Sequence, residues 1–227
     1  MLKTTSRSDT TPYSAPVIAT TVARPRWLLL SLAVAIIFID AVGYTLIIPA
    51  LPTLAQDLAL GETRVGALYA SYGLISLLLY LPFGLLVDRW GERCLLTVGM
   101  LILGCVSLGF WQATGFGSLL GCRFGQGIAA SATWAAALPL TARIATKERR
   151  GVEMSIITMA FSIGVIAGPA LGSLGQVRDP FLYFAWLPFA LAVCIFILVP
   201  VRSEPPARPP HIPHPASPIS LRDGLQR

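Results

Sequence analysis

Charged side chains are scarce in this sequence: Asp, Glu, Lys and Arg together make up 12% of the 227 residues, whereas apolar side chains make up 55%. A soluble domain cannot bury that much apolar surface, so the composition predicts a protein that crosses a membrane several times. Histidine is nearly absent, since only His211 and His214 occur, both in the polar C-terminal tail. Apolar segments without histidine exclude His-dependent proteolysis and most transition-metal chemistry within the bilayer.

Sequence motifs of enzyme chemistry are also missing. There is no H-E-x-x-H, no Walker phosphate loop, and no serine with a histidine partner in the apolar segments. The four cysteines have no paired spacing, which argues against a disulfide framework and against a metal site. We therefore expect no enzyme activity, no metal and no cofactor. The cysteines are Cys94, Cys105, Cys122 and Cys194.

The segment from Trp27 to Pro52 is almost wholly apolar and predicts one long membrane helix, closed by Pro49 and Pro52. Asp40 lies near its middle. A carboxylate at that depth costs roughly 3 kcal/mol on insertion scales, so such residues usually face a water-filled cavity or a partner. Asp40 is therefore a candidate functional residue.

Five further apolar segments follow, so the chain is predicted to be an all-α membrane protein with six transmembrane helices over residues 27–201. Residues 1–26 are rich in Ser, Thr and Pro and are predicted to be a disordered cytoplasmic leader. Residues 202–227 are dense in proline and are predicted to be an extended cytoplasmic linker or tail. After a short outer loop, Thr53 to Thr63, the helices are expected at about Arg64 to Val87, Cys94 to Ala113, Gly117 to Ala142, Val152 to Gly175 and Pro180 to Val201.

The basic residues predict the orientation of these helices. The 17 Lys and Arg residues lie in the leader, the tail and the loops after the second and fourth helices, with the exceptions of Arg64, Arg123 and Arg178. All of those segments are on one side of the membrane if the N-terminus is cytoplasmic, as the positive-inside rule requires. The excess of positive charge thus reflects topology and does not indicate nucleic-acid binding. Both termini are expected to be cytoplasmic, in the inner or plasma membrane.

The loop after the second helix contains a compact set of small and charged residues. Gly84 and Asp88 are four residues apart and share a helix face, where Gly84 permits close approach of a neighbouring helix. Gly91 allows a tight turn, and Arg89 and Arg93 are placed to anchor that turn at the anionic leaflet. An ordinary basic inner loop is an equally good account on physical grounds alone.

The fourth helix carries a second embedded charge, Arg123, with Gln126 one turn away and Trp134 on the same face. Either Arg123 reaches back to the outer boundary, or it faces a solvated pocket with Gln126, which the small residues around it favour. Another face carries a stripe of small residues suited to tight helix packing. The stripe consists of Gly117, Gly121, Gly125, Ala129, Thr133 and Ala137.

The two embedded charges are close enough in depth to interact. Counting from the inner ends of their helices, Asp40 and Arg123 differ in depth by about 9 Å at 1.5 Å per residue. A direct or water-bridged pair is therefore geometrically feasible. We hypothesise that Asp40 binds and releases a proton or contacts a cationic substrate, and that Arg123 adjusts how readily it does so. Tyr44, one turn beyond Asp40, is included among the candidate coupling residues.

The fifth helix has a glycine face formed by Gly164, Gly168 and Gly172, and Pro169 is predicted to kink it. Close packing of this face against a neighbouring helix is a complete physical account of the glycines and requires no chemistry.

Several of these motifs resemble those of the major facilitator superfamily. The loop G-x-x-x-D-R-x-G-x-R looks like its signature loop, apart from Glu92, where the family usually has a basic residue. The R-x-x-Q-G at Arg123 resembles the fourth-helix motif associated with proton coupling, and G-x-x-x-G-P-x-x-G resembles the motif that marks antiporters. The D-x-x-G and I-P-x-L-P of the first helix resemble those of twelve-helix drug:proton antiporters.

The resemblance implies that the six helices form one half of the superfamily fold, built as two inverted three-helix repeats. It also implies a small lipophilic or cationic substrate exported against protons, with the signature loop gating the inner mouth. Three interpretations remain open: the N-terminal half of an exporter, a non-transporting subunit that binds a second six-helix half, or a homodimeric half-transporter.

Overall fold

The computed structural model of the protein describes residues 25–200, and within them every regular element is an α-helix. The predicted cytoplasmic tail, and the predicted leader apart from its last two residues, lie outside this part of the chain. The helices are α1 (Arg26–Thr45), α2 (Leu51–Asp57), α3 (Glu62–Gln112), α4 (Phe116–Ile144), α5 (Arg150–Gly172) and α6 (Asp179–Leu198).

Helix α1 is shorter than predicted. It ends at Thr45, and a turn leads into the short helix α2, so the prediction of one helix from Trp27 to Pro52 is wrong. The physical reason is Pro49, which has no backbone N–H to donate to the Thr45 carbonyl; the N–H of Ile48 donates to that carbonyl instead, at 3.0 Å. The predicted outer loop is likewise partly helical, because α2 extends to Asp57.

Helix α3 contains both the second and the third predicted helices, joined at Gly91. This residue has φ 79° and ψ 160°, a conformation that only glycine adopts readily, and it separates the arm 62–90 from the arm 92–112. The tight turn predicted at Gly91 is thus confirmed. Pro82 lies within the first arm.

Four helices in the described part are long and apolar enough to cross a membrane: α1, α3, α5 and α6. Helix α4 is not among them, because small residues make up much of it and Arg123 and Gln126 lie within it. At 1.5 Å per residue α3 would be about 75 Å long if straight, more than twice a hydrocarbon core of roughly 30 Å. The layout as six transmembrane helices stays a prediction.

The helices pack around α4 and α1. Helix α3 packs mainly against α4 and α6, and α1 packs mainly against α5 and α4. The small-residue stripe of α4 explains part of this, since a Cβ added at Gly125 would collide with Val106 and one added at Gly99 would lie 2.8 Å from Thr133 Cγ2. On another face of α4, a Cβ at Gly127 would lie 2.9 Å from the carbonyl oxygen of Tyr72. The close packing predicted for the stripe is confirmed at Gly125 and Thr133. It is wrong at Gly117 and Gly121, where no described atom of a neighbouring helix lies within 4 Å of an added Cβ.

Two buried carboxylates tie helices together near the end of the bundle that holds Gly91. Glu92 pairs with Arg143 of α4, with Oε1 and Nε 3.4 Å apart, and Glu153 of α5 pairs with Arg26 of α1. Both glutamates are buried, whereas both arginines are partly exposed. These pairs fasten α4 to the second arm of α3 and α5 to α1.

Candidate functional site

Arg123 and Gln126 of α4 are buried and reach across to the end of α1. Arg123 is 1% exposed; its Nη1 donates to the carbonyl oxygen of Tyr44 at 3.1 Å and to Oε1 of Gln126 at 2.8 Å. Gln126 in turn donates from Nε2 to the carbonyl oxygen of Gly43 at 2.9 Å. The inward orientation predicted for Arg123 is therefore confirmed by its burial and by its contacts with α1.

These contacts complete the last turn of α1. The final four carbonyl groups of a helix have no intrahelical donors. Here the Val42 carbonyl accepts from the N–H of Leu46 and the Thr45 carbonyl accepts from that of Ile48, both through the backbone. The two carbonyls between them, those of Gly43 and Tyr44, accept from Gln126 and Arg123. The guanidinium also lies at the negative end of the helix dipole, where a cation is favourable.

Three tyrosine rings surround the Arg123 guanidinium. Its Cζ lies 5.8 Å from the ring centroid of Tyr44 and 5.9 Å from those of Tyr69 and Tyr72. The rings of Tyr44 and Tyr72 stack with centroids 4.3 Å apart. Aromatic faces stabilise a desolvated cation, so this cage offsets part of the cost of burying Arg123. Sequence reasoning missed Tyr69 and Tyr72, although their i, i+3 spacing places both on one face of α3.

Asp40 lies at the same α1–α4 interface, one turn before Tyr44. It is 2% exposed, and its Oδ2 accepts a hydrogen bond from Nε1 of Trp134 at 3.1 Å. The Trp134 ring packs edge-to-face on Phe161 of α5, with centroids 5.2 Å apart, so this contact involves three helices. The ion pairs between residues 25 and 200 include none with Asp40, so the direct pair with Arg123 considered above is not formed.

The arrangement therefore separates two kinds of site. Arg123 is fully surrounded by carbonyl, amide and aromatic groups, apart from Nε, which has no hydrogen-bond partner. Asp40 has a neutral donor and no cation from the described residues within ion-pair distance. A buried carboxylate in that position can exchange a proton or attract a cation, because an isolated charge there is expensive.

The residues of the predicted gating loop lie far from Asp40. Gly84, Asp88 and Arg89 are near the end of the first arm of α3. Tyr72 of this arm stacks on Tyr44, one turn beyond Asp40, and Asp88 lies 16 residues further along the arm, or about 24 Å along a helix. Gly91 and Arg93 follow at the turn. No described atom of another helix lies within 4 Å of a Cβ built at Gly84, so the close helix approach predicted there is not formed. Asp88 lines a cavity of about 560 Å³ between α3, α4 and the start of α5, which it shares with Gly84, Pro139, Arg150 and Met154.

The glycine face of α5 packs directly on α1, beside Asp40. A Cβ added at Gly164 would lie 2.7 Å from both Ala41 Cβ and the carbonyl oxygen of Phe38. At Gly168 it would collide with Thr45, and at Gly172 with the carbonyl of Leu46. Pro169 lies within α5, which continues past it to Gly172. The packing predicted for the glycine face is confirmed.

Replacing Gln126 by Leu is expected to lower the stability of the fold by about 1–3 kcal/mol, because the buried Gly43 carbonyl loses its only described side-chain donor. Thermal unfolding of the purified protein in detergent measures the loss. Gln56→Leu is the matched control, since Gln56 is exposed on α2 and should leave the unfolding temperature unchanged. Equal unfolding temperatures for the two variants would contradict the role given to Gln126.

Known proteins resemble this chain in sequence and in fold. Residues 33–225 match the family model described as Major Facilitator Superfamily. The chain is 29% identical over 174 residues to Multidrug resistance protein 1 of Bacillus subtilis, an alignment that covers 76% of this chain and 44% of that protein. It is 28% identical over 176 residues to the quinolone resistance protein NorA of Staphylococcus aureus, again covering 76% and 44%.

A solved structure agrees at the level of the fold. The human organic anion transporter MFSD10 (TETRAN) superposes with a TM-score of 0.67 at 19% sequence identity, over 78% of this chain and 48% of that one. The chain thus spans a little under half the length of the relatives it matches. From the family match, which extends over most of its sequence, we conclude that the chain belongs to the major facilitator superfamily.

Proposed function

We propose that this chain forms the N-terminal half of a proton-coupled exporter of small lipophilic or cationic compounds. The observation that carries the proposal is Asp40, a carboxylate in an apolar helix that is 2% exposed and bonded to a neutral indole. Keeping a charge at such a place costs several kcal/mol unless it is paired. Uptake of a proton or of a cationic substrate removes that cost, which suits Asp40 to coupling.

In this proposal Trp134 orients Asp40. Its indole N–H donates to Oδ2, and the Thr133 side chain also lies within hydrogen-bonding reach of the carboxylate. Uptake of a proton or the approach of a cation would neutralise this carboxylate. Because the Trp134 ring also packs on Phe161, a movement of α5 relative to α4 would shift the donor and change the stability of the charged carboxylate. Protonation of Asp40 and the arrangement of the helices would thereby be linked.

Arg123 and Gln126 have a structural role that differs from the role of Asp40. Their hydrogen bonds go to the end of α1, so we propose that they keep α1 and α4 in register while Asp40 titrates. Tyr44 contributes both its carbonyl and its ring to this arrangement. These hydrogen bonds would transmit any displacement of α4 to α1, the helix that carries Asp40.

Export is supported by the names of the relatives, a multidrug resistance protein and a quinolone resistance protein. The glycine face at Gly164, Gly168 and Gly172, with Pro169, adds the resemblance to antiporter motifs noted above. The apolar side chains of the bundle favour a lipophilic cation as cargo, as does the Asp40 carboxylate, which forms no ion pair with the described residues.

The proposed architecture has six transmembrane helices over residues 27–201, arranged as two inverted three-helix repeats, with α3 crossing twice and turning at Gly91. Gly84, Asp88, Arg89 and Arg93 then belong to a gate at the cytoplasmic side, where both termini also lie. Large apolar side chains on the first arm of α3 and on α5, such as Leu77, Leu81 and Ile166, are more than 70% exposed. A second six-helix half or a second copy of the chain would cover them.

Those exposed side chains also favour an alternative, a non-transporting membrane subunit that acts only with a partner half. Vesicles that contain this chain alone, loaded with tetraphenylphosphonium and given a pH gradient, distinguish a homodimeric half-transporter from a half that acts only with a partner. Protein-dependent efflux that an uncoupler abolishes is expected for a homodimeric half-transporter and excludes the alternative. Efflux no faster than from protein-free vesicles would contradict transport by this chain alone.

A further inference from the structure

A groove between α6 and the second arm of α3 lies apart from Asp40, although it shares Arg93 with the proposed gate. It has a volume of about 430 Å³ and begins beside the Gly91 turn. We call it the α3–α6 groove; it is lined by Trp90, Arg93, Cys94, Thr97, Val98 and Phe196.

Arg93 supplies a positive charge to this groove. Its Cζ lies 4.2 Å from the ring centroid of Phe196, so the aromatic ring holds the guanidinium in place. None of the side-chain hydrogen bonds or ion pairs found within residues 25–200 engages the Arg93 guanidinium, which leaves its N–H groups able to bind an anion. Of the neighbouring carboxylates, Glu92 is buried and pairs with Arg143, and Asp88 lines the cavity beside α4 and α5.

The walls of the groove have the character of a membrane interface. Trp90 and Phe196 are each 60% exposed, and an indole placed beside a basic residue is typical of the headgroup region. Away from the turn, the second arm of α3 presents an exposed apolar stripe at helical spacing that begins at Cys94 and continues through Val98, Leu101 and Cys105. A charged end followed by an apolar track matches a lipid, with its anionic headgroup first and its acyl chain after.

We propose that the α3–α6 groove binds an acidic phospholipid. The Arg93 guanidinium holds the phosphate, Trp90 lies at the glycerol level, and one acyl chain runs along Val98 and Leu101. This site is separate from Asp40 and requires only that the Gly91 turn lies at a membrane surface. A soluble phosphate compound shares the headgroup chemistry but has no acyl chain that could pack along the apolar stripe.

Native mass spectrometry of the purified full chain measures the binding of phosphatidylglycerol and of phosphatidylcholine with the same acyl chains. We expect tighter binding of phosphatidylglycerol, and Arg93→Gln is expected to weaken it about fivefold, as loss of one basic residue near a membrane surface implies. Arg64→Gln is the matched control, because Arg64 also lies over a phenylalanine ring, Phe116 at 5.6 Å, near the start of α3. That control should bind phosphatidylglycerol as the unmodified chain does.

Phe196→Leu provides a second test if Arg93→Gln fails to fold. Phe196 is exposed, and without its ring the Arg93 guanidinium is no longer held in position to bind the phosphate. Phe196→Leu should also weaken phosphatidylglycerol binding. Equal affinity for the two lipids, or equal weakening by Arg93→Gln and Arg64→Gln, would overturn the proposal. Displacement of the lipid by millimolar glycerol phosphate would also overturn it, by identifying a soluble phosphate as the ligand.

Discussion

In a transporting assembly of this chain, either a homodimer or a pair with a second six-helix half, Asp40→Asn is expected to reduce proton-driven efflux of a lipophilic cation to the rate of protein-free vesicles. Asn has nearly the shape of Asp, and its carbonyl oxygen can still accept the hydrogen bond from Trp134 Nε1. What the substitution removes is the ability to gain and lose a proton and to carry a negative charge. The structure around Asp40 should therefore survive, while coupling is lost. Efflux under an imposed pH gradient measures the effect.

Asp57→Asn is the control for this prediction, because Asp57 is an exposed carboxylate at the end of α2. It should transport as the unmodified chain does. Binding of the cation to Asp40→Asn separates the two roles considered: retained binding indicates a proton carrier, and lost binding indicates a substrate contact. Proton-driven efflux that persists in Asp40→Asn would contradict the proposed mechanism.

Gly164→Leu is expected to destabilise the protein by about 3 kcal/mol or more, at the upper end of the cost of overpacking a close contact. Even a single added carbon would lie 2.7 Å from Ala41 Cβ and from the Phe38 carbonyl oxygen, and neither atom belongs to a flexible side chain. Helices α1 and α5 would have to separate beside Asp40. Denaturant or thermal unfolding in detergent measures the change.

Gly151→Leu tests the same substitution in the same helix without the contact, since nothing lies within 4 Å of a Cβ built at Gly151. It should be neutral or slightly stabilising, because Leu favours a helix more than Gly does. If Gly164→Leu unfolds at the same temperature as Gly151→Leu, the close approach of α5 to α1 is wrong. Loss of transport with unchanged stability would instead favour a role for the glycine motif in antiport.

The parts of the fold that sequence could predict are those set by local chemistry. Gly91 was recognisable as a turn because few other residues accept its backbone conformation, and the small stripe of α4 was recognisable from its four-residue repeat. The inward orientation of Arg123 followed from the cost of leaving a charge in lipid, with Gln126 one turn away. Each of these inferences needed only neighbours along the chain.

The parts that sequence could not predict depend on contacts between distant segments. The donor to Asp40 Oδ2 is Trp134, 94 residues away, and periodicity alone could not choose between Trp134 and Arg123 as a neighbour of Asp40. The early end of α1 was missed because the apolar pattern continues unbroken past Thr45, although Pro49 carried the signal. The roles assigned to the coupling and gating residues stay predictions until transport is measured.

The end of α1 has a consequence for how the chain is assembled. Its Gly43 and Tyr44 carbonyls are satisfied by residues that follow 83 and 79 positions later in the chain. During synthesis, α1 therefore enters the membrane before the groups that complete it exist, and unpaired carbonyls in hydrocarbon are costly. The last turn of α1 must stay near water, or be shielded by the insertion machinery, until α4 arrives. If the ribosome paused between these segments, the Gly43 and Tyr44 carbonyls at the end of α1 would have no side-chain donors from α4.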